Sequence, residues 1–269
     1  MEHWLFLDSG SAPGAENMAL DELLLERAER HGGAPALRLY SFDPPAVTIG
    51  WHQRPESILK VESLRADGLD WVRRITGGRA LLHEGELTYC VAAPGSAALL
   101  DAGPGEAYLR ISAAIAAALR SLGIDAEVSR GREAPGPKGA SAPCLSSVTR
   151  WELAVRGRKI AGSAQRKTAA AFLQHGSILL RRGSERIVRY LRSSSDALED
   201  RITCVSDELG RPADAGEIGR SIKASFADRF DLAWEPLRLS EREECEIAAR
   251  ARAKRRESGS RAAGEVCSP

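Results

Sequence analysis

Residues 150–180 read RWELAVRGRKIAGSAQRKTAAAFLQHGSILL, and this stretch decides the fold. Residues on either side of Gly157 pattern as a hairpin turning at that glycine, and AFLQHGSILL (171–180) follows as another strand. Upstream, ALRLYSF (36–42) and AVTIG (46–50) read as strands split at Pro44-Pro45. WVRRI (71–75), ALL (80–82) and ELTYCVAA (86–93) read as further strands, with TGGRA (76–80) turning between the first two.

Helical periodicity occupies AENMALDELLLERAERHGG (15–33), ESILKVESLRADG (56–68) and GEAYLRISAAIAAALRSLG (105–123). The last of these predicts a buried face of Leu109, Ile111, Ile115, Leu119 and Leu122, stopped by Gly123. SRGREAPGPKGASAP (129–143) predicts a mobile surface loop leading into Cys144. From about residue 184 the pattern is helical or irregular, including 215–230 and 240–257. Strands and helices mix without regular alternation, which predicts an α+β fold and not a doubly wound parallel sheet. One domain over residues 1–255 and a disordered tail over 256–269 are expected, and no internal repeat is present.

The 269 residues carry 38 Lys and Arg against 37 Asp and Glu, a formal charge of +1, so no global field draws the chain to nucleic acid or membrane. MEHWLFLDSG at the start lacks the positive region of a signal peptide, and no apolar run reaches membrane-spanning length; a soluble, cytoplasmic protein is expected. The five cysteines, Cys90, Cys144, Cys204, Cys245 and Cys267, lack the paired spacing of a zinc site or disulfide framework, so no metal is expected.

Cys144, at the end of a Gly/Pro-rich loop, suits an accessible thiol, whereas Cys90 alternates with apolar neighbours and reads as core. The Gly77-Gly78 pair reads either as a tight bend or as a place where backbone approaches a ligand. His83 reads as a structural histidine or an acid/base group, and His175 as a histidine bonded within the fold. Lys159, on a strand edge beside Arg158, reads by itself as a solvated charge. Its functional reading is a hydrogen bond to a substrate carbonyl or support for a nearby thiolate.

Four stretches in order, NMALDELLL (17–25), LRLYSFDPPAVTIGWHQ (37–53), RRITGGRALLHEGELTYCV (73–91) and RKIAGSAQRKTAAAFLQHGSILL (158–180), resemble the lipoate–protein ligase and octanoyltransferase family. That resemblance implies a class II aminoacyl-tRNA/biotin synthetase-like catalytic domain, with a central mixed sheet flanked by helices and loops enclosing an acyl tunnel. It implies that Arg74, Thr76, Gly77, Gly78 and His83 line the acyl site. It makes Lys159 the essential lysine, with Gly162, Ser163 and Ala164 as its neighbouring backbone.

The chain departs from ATP-using ligases at Arg79, where they carry a third Gly, and near Trp151-Glu152, where they carry an Asn-Asp pair. It resembles the cysteine-dependent octanoyltransferase branch in its GGRA loop and in a Cys shortly before WEL, which is Cys144. The implied activity is octanoyl (or lipoyl) transfer from acyl carrier protein to a lysine of lipoyl domains or glycine-cleavage H protein, through a Cys144 thioester. No cofactor is then needed; ATP and Mg enter only if the chain is instead a lipoate ligase. The resemblance also leaves open an octanoyl-H protein amidotransferase and a silent acyl- or carrier-binding protein. Arg130, Arg132, Lys138, Arg166 and Lys167 are candidates to meet an acidic carrier.

Overall fold

The computed structural model describes residues 2–30, 33–129, 152–193 and 198–259. The chain begins with strand β1 (Glu2–Ala12) and helix α1 (Gly14–Glu29), followed by β2 (Ala36–Phe42) and β3 (Ala46–Ile49). Two short helices, α2 (Pro55–Ile58) and α3 (Val61–Ala66), occupy the segment expected to be one helix. Then come β4 (Asp70–Arg73), β5 (Leu81–His83), β6 (Glu86–Pro94), α4 (Pro104–Ser121) and β7 (Glu127–Val128). Beyond them are β8 (Leu153–Val155), β9 (Arg158–Lys167), β10 (Ala171–Leu179), α5 (Val205–Leu209), α6 (Ala215–Phe230), β11 (Leu232–Pro236) and α7 (Glu241–Ser258).

Eight strands form one mixed sheet in the order β11-β1-β2-β6-β10-β9-β8-β7, and β4-β3-β5 form a second. β1 pairs in parallel with both β2 and β11, while β2 and β6, β6 and β10, and β10 and β9 pair antiparallel. The α+β class is as the sequence implies. Every residue of β10 is buried, as expected of a central strand covered on both faces.

Period-two alternation sorts each central strand between two cores. Leu37, Leu39, Tyr89 and Val91 pack with Ile111, Ile115 and Leu119 of α4 and Ile218, Ile222 and Phe226 of α6. Tyr40, Phe42, Cys90, Ala92 and Leu173 face the other way, onto Met18, Leu24 and Leu25 of α1. In α4 the buried face is shifted from the expected one: Leu109 and Leu122 are only half-buried, while Ala114 and Ala118 lie inside.

Two strands depart from the sequence reading. β11 lies in the region read as helical or irregular, and β1 occupies the start of the chain, for which no strand is expected. Each pairs in parallel with a segment distant in sequence, so no hairpin turn announces it. Trp4 of β1 stacks on Phe230 with centroids 5.6 Å apart and meets Trp234 edge-on at 6.3 Å, which fixes that corner. Helix α7, opened by a Ser240/Glu243 capping box, lies along α1. Arg250 grips Glu26 with two bonds of 2.6 Å, and Ala251 packs on Ala15 and Ala19. It runs to Ser258, so residues 256–258 are helical and not part of a tail; 260–269 lie outside the described residues.

The β8–β9 hairpin turns at Arg156-Gly157 as expected and contains one irregularity. Leu153 stands opposite Ala161, but Ala154 stands opposite Lys159, leaving Ile160 as an extra residue. Ile160 and Ala161 both pack into the α4/α6 core, so alternation along β9 is reset at this bulge.

Candidate acyl site

Between α1, the central strands and the β3–β5 sheet lies a partly open cavity, about 440 Å³ of space free of protein atoms when its open side is counted. One wall is a row of cross-strand neighbours on a single sheet face: Tyr40 opposite Thr88, Thr88 opposite Ser177, and Ser177 opposite Gly162. The next row along is Arg38, Cys90, His175 and Ala164. Met18, Leu81 and Gly78 line it from α1 and from the segments around β5, and Thr48, Arg74, His83 and Ser163 also border it.

The residues carried over by resemblance fall into distinct places. Gly78, Arg74, His83, Gly162, Ser163 and Ala164 all line this cavity. Arg74 is buried and clamps the glycine turn, donating to the carbonyls of Gly77 at 2.8 Å and Arg79 at 2.8 Å and to Thr48 Oγ1 at 3.0 Å. Gly77 thus contributes a carbonyl to that clamp. Thr76 is fully buried behind the wall, 2.6 Å from His175 Nε2. Ser163 turns its hydroxyl to Tyr89 at 2.6 Å. Burial pushes the Tyr89 phenol up to about 12, so it stays a neutral hydrogen-bonding partner.

Lys159 is not the solvated edge charge that its sequence position suggests. It is 0% exposed, and Nζ donates to Glu152 Oε1 at 2.5 Å, with Glu152 itself 6% exposed. The bulge at Ile160 places its side chain on the same face as Gly162. There the glycine leaves room for it: a β-carbon on Gly162 would stand 3.0 Å from Nζ. The ammonium therefore adjoins the cavity wall. Gly176 on β10 is equally constrained, since a β-carbon there would lie 2.5 Å from Ser163 Oγ and 2.7 Å from the Gly162 carbonyl.

Two buried polar networks flank the cavity. Asp21 of α1 accepts from Arg38 Nη1 at 2.8 Å and Tyr40 Oη at 2.7 Å, and its Oδ2 lies 2.8 Å from His175 Nδ1. Burial alone would raise the Asp21 carboxyl; the His175 hydrogen bond and the Arg38 charge outweigh it and hold the group below the usual aspartate range. Burial likewise pushes His175 below the ordinary histidine value despite Asp21. A carboxylate only accepts, so the neutral imidazole carries its proton on Nδ1, and Nε2 accepts from the Thr76 hydroxyl. His175 thus bonds within the fold, as its sequence setting suggests, while also lining the cavity.

In the second network His83 Nδ1 pairs with Glu86 Oε1 and Nε2 lies 2.8 Å from Thr48 Oγ1. Thr88 donates to Glu86 Oε1 at 2.8 Å, and Phe42 stacks on the imidazole with centroids 3.9 Å apart. Burial pushes the Cys90 thiol well above its ordinary value, in keeping with a packed, unreactive cysteine.

Cys144 lies outside the described residues, as do Arg130, Arg132, Lys138 and the rest of the expected loop over 130–143. Arg166 is half-buried, with Nη1 on the Ile75 carbonyl at 3.0 Å, and Lys167 is exposed. Sequence reasoning misses Thr48, Thr88, Ser177, Met18 and Asp21, and it meets Glu152 only as a departure from the ligases. The signal for Thr88 and Ser177 is a hydroxyl residue interrupting an otherwise apolar strand. Among the described residues no cluster suits a metal ion, and no helix is long and apolar enough to cross a membrane.

A family model described as the lipoyl protein ligase A/B catalytic domain matches residues 13–227. Octanoyltransferase LipM of Moorella thermoacetica is 35% identical over 250 residues, covering 90% of this chain and 92% of that protein. Octanoyltransferase LipM of Symbiobacterium thermophilum is 37% identical over 263 residues, covering 94% and 95%. Among solved structures, lipoate-protein ligase A bound with ATP superposes with a TM-score of 0.77 at 22% identity, covering 94% of this chain and 95% of that one. A bi-partite lipoate protein ligase from Thermoplasma acidophilum gives 0.75 at 21% identity, covering 94% and 93%. These two share its fold. With the family model spanning most of its length and relatives above 30% identity along nearly all of it, the chain belongs to the lipoyl protein ligase A/B catalytic-domain family.

Proposed function

We propose that this chain is a cytoplasmic octanoyltransferase of protein lipoylation. It takes an octanoyl group from acyl carrier protein onto Cys144 and passes it to a lysine of a lipoyl domain or H protein. The observation that supports this most directly is the buried Lys159 side chain packed against Gly162, which lines a cavity together with Met18, Tyr40 and Leu81. The curated relatives, named as octanoyltransferases, favour transfer over ATP-dependent ligation.

An eight-carbon chain buried in such a cavity gains about 0.8 kcal/mol per methylene, on the order of 5 kcal/mol in all. That anchors the acyl group while its carbonyl stays near Gly162. In this reading Lys159 Nζ donates to the carbonyl oxygen as negative charge develops there, a contribution typically worth about 3 kcal/mol.

In the first exchange the Cys144 thiolate attacks the donor thioester, forming a new C–S bond and releasing the carrier thiolate, which takes up a proton. In the second, the neutral acceptor amine attacks. A C–N bond forms, the Cys144 C–S bond breaks, and the amine proton goes to the departing sulfur. Amide is more stable than thioester, so the second step runs downhill without ATP.

The test is intact mass measurement after mixing the protein with octanoyl-acyl carrier protein, without ATP, for wild type and Cys144→Ser. One octanoyl group, removable by hydroxylamine and present only in wild type, is the expected result. Acylation only with free acid and ATP, with pyrophosphate released and activity retained in Cys144→Ser, would make the chain a ligase. Uptake from octanoyl-H protein but not from the carrier would make it an amidotransferase.

A further inference from the structure

We propose that the stacked rings of Phe42 and His83 are the end wall of the acyl cavity and set the length of chain it takes, with Phe42 holding His83 in place. This rests on the octanoyl-transfer reading, which puts the acyl carbonyl near Gly162.

The wall stands between two hollows. His83, 5% exposed, borders the acyl cavity and also borders a surface cleft lined by Phe42, Asp43, Glu86 and Arg181. Among the described residues no other residue borders both. Phe42 borders only the cleft, and its ring stacks on the imidazole with centroids 3.9 Å apart and planes 20° from parallel. One aromatic pair thus separates the acyl cavity from a cleft whose rim carries the exposed Asp43 and Arg181.

The sheet supplies a ruler. Gly162 of β9 stands opposite Ser177 of β10, which stands opposite Thr88 of β6. Neighbouring strands lie about 4.8 Å apart, so this row is about 10 Å long, close to the reach of an extended eight-carbon chain. His83 meets the row at its far end. Its Nδ1 is 3.4 Å from Ser177 Oγ and pairs with Glu86, which accepts from Thr88 Oγ1 at 2.8 Å. A chain whose carbonyl lies at Gly162 therefore brings its last carbons to the imidazole.

The imidazole is braced on several sides. Nε2 lies 2.8 Å from Thr48 Oγ1, Glu86 engages Nδ1, and Phe42 covers one face of the ring. Phe42 is itself packed: it is 8% exposed, its ring centroid is 5.8 Å from that of Tyr40, and a β-carbon on Gly14 would stand 3.6 Å from its Cε1. A longer chain has to break this arrangement, while a shorter one leaves space without contacts. Phe42→Ala removes the ring behind the imidazole, which can then tip into the vacated space and open the cavity to the cleft. Phe42 is thus a positioning residue acting through His83.

The experiment compares wild type with Phe42→Ala, Phe42→Leu and His83→Ala. One arm measures binding of free octanoate and dodecanoate by isothermal titration calorimetry; the other measures acylation from octanoyl- and dodecanoyl-acyl carrier protein, without ATP, by intact mass. Wild type should favour the eight-carbon chain. In Phe42→Ala and His83→Ala the ratio of dodecanoyl to octanoyl uptake should rise about tenfold or more, with a smaller rise in Phe42→Leu, which decides the matter if the alanine variants do not fold. A ratio unchanged from wild type in every folded variant overturns the proposal, as does a wild type that takes both chains equally well. Where free acids do not bind, the acylation ratio decides alone. If no form is acylated by the carrier but the binding ratio shifts as expected, the wall stands and the transfer reading falls; if no form takes either chain in either arm, both fall.

Discussion

A β-carbon on Gly162 would stand 2.8 Å from Cε of Lys159, so this glycine and this lysine share one volume on the cavity side of the sheet. Gly162→Ala must displace the lysine stem, because the methyl group has nowhere else to go. Misplacing a group that acts at the reacting centre by about 1 Å costs up to about 100-fold in rate. The expected result for Gly162→Ala is a loss of transfer activity of roughly 10- to 100-fold with only a small fall in melting temperature, checked by steady-state assay and thermal unfolding of the same preparation.

Gly176 tests packing instead of chemistry. Its added β-carbon would meet Ser163 Oγ at 2.5 Å, the Gly162 carbonyl at 2.7 Å and Tyr89 Cε1 at 2.8 Å, and the carbonyl and the ring are rigid parts of the sheet and its core. Overpacking of this kind costs about 1–3 kcal/mol. Gly176→Ala should lower the urea midpoint accordingly, without changing the slope of the transition.

Arg38 and Asp21 form an ion pair in which each side chain is 1% exposed. Arg38→Met removes the guanidinium but leaves the carboxylate buried, and breaking such a pair typically costs about 3–5 kcal/mol. Arg38→Met combined with Asp21→Asn should be markedly less destabilised than the sum of the two single changes, as measured in a double-mutant cycle by urea denaturation.

The pH dependence of stability follows from the same cluster. His175 is held below its reference value of 6.5 and Asp21 below 3.8. For both groups the unfolded chain takes up a proton before the native state does, so stability is lost as pH falls. The loss begins near pH 6.5 through His175 and deepens below about pH 4 through Asp21. In His175→Gln the decline between about pH 7 and pH 5 should be shallower than in wild type, read from urea midpoints across that range.

Much of the architecture is legible in the sequence, because hairpins and amphipathic helices are local. Gly157 turns the chain where expected, and residues 215–230 form the expected helix. β1 and β11 escape because their partners lie far along the chain and parallel pairing leaves no turn to recognise. Arg74, Gly78 and His83, named through the resemblance, do line the cavity. Thr88, Ser177 and Gly162 face one cavity because three strands align in one register, a relation that no single strand's composition carries. Nothing in the residues around Glu152 marks it as the partner of a buried cation; only the folded hairpin brings the two together.

Three positions apart on an unbroken strand, Lys159 and Gly162 would point to opposite sides, and only the unmatched Ile160 puts them on one. Which side of the sheet receives the lysine is therefore set by counting, not by residue type. Inserting one residue between Leu153 and Ala154 would give Ile160 a partner, restore simple alternation and turn the amine toward α4 and α6. Such a protein would keep every functional side chain, and an alignment that scored only their identities would pass it as intact.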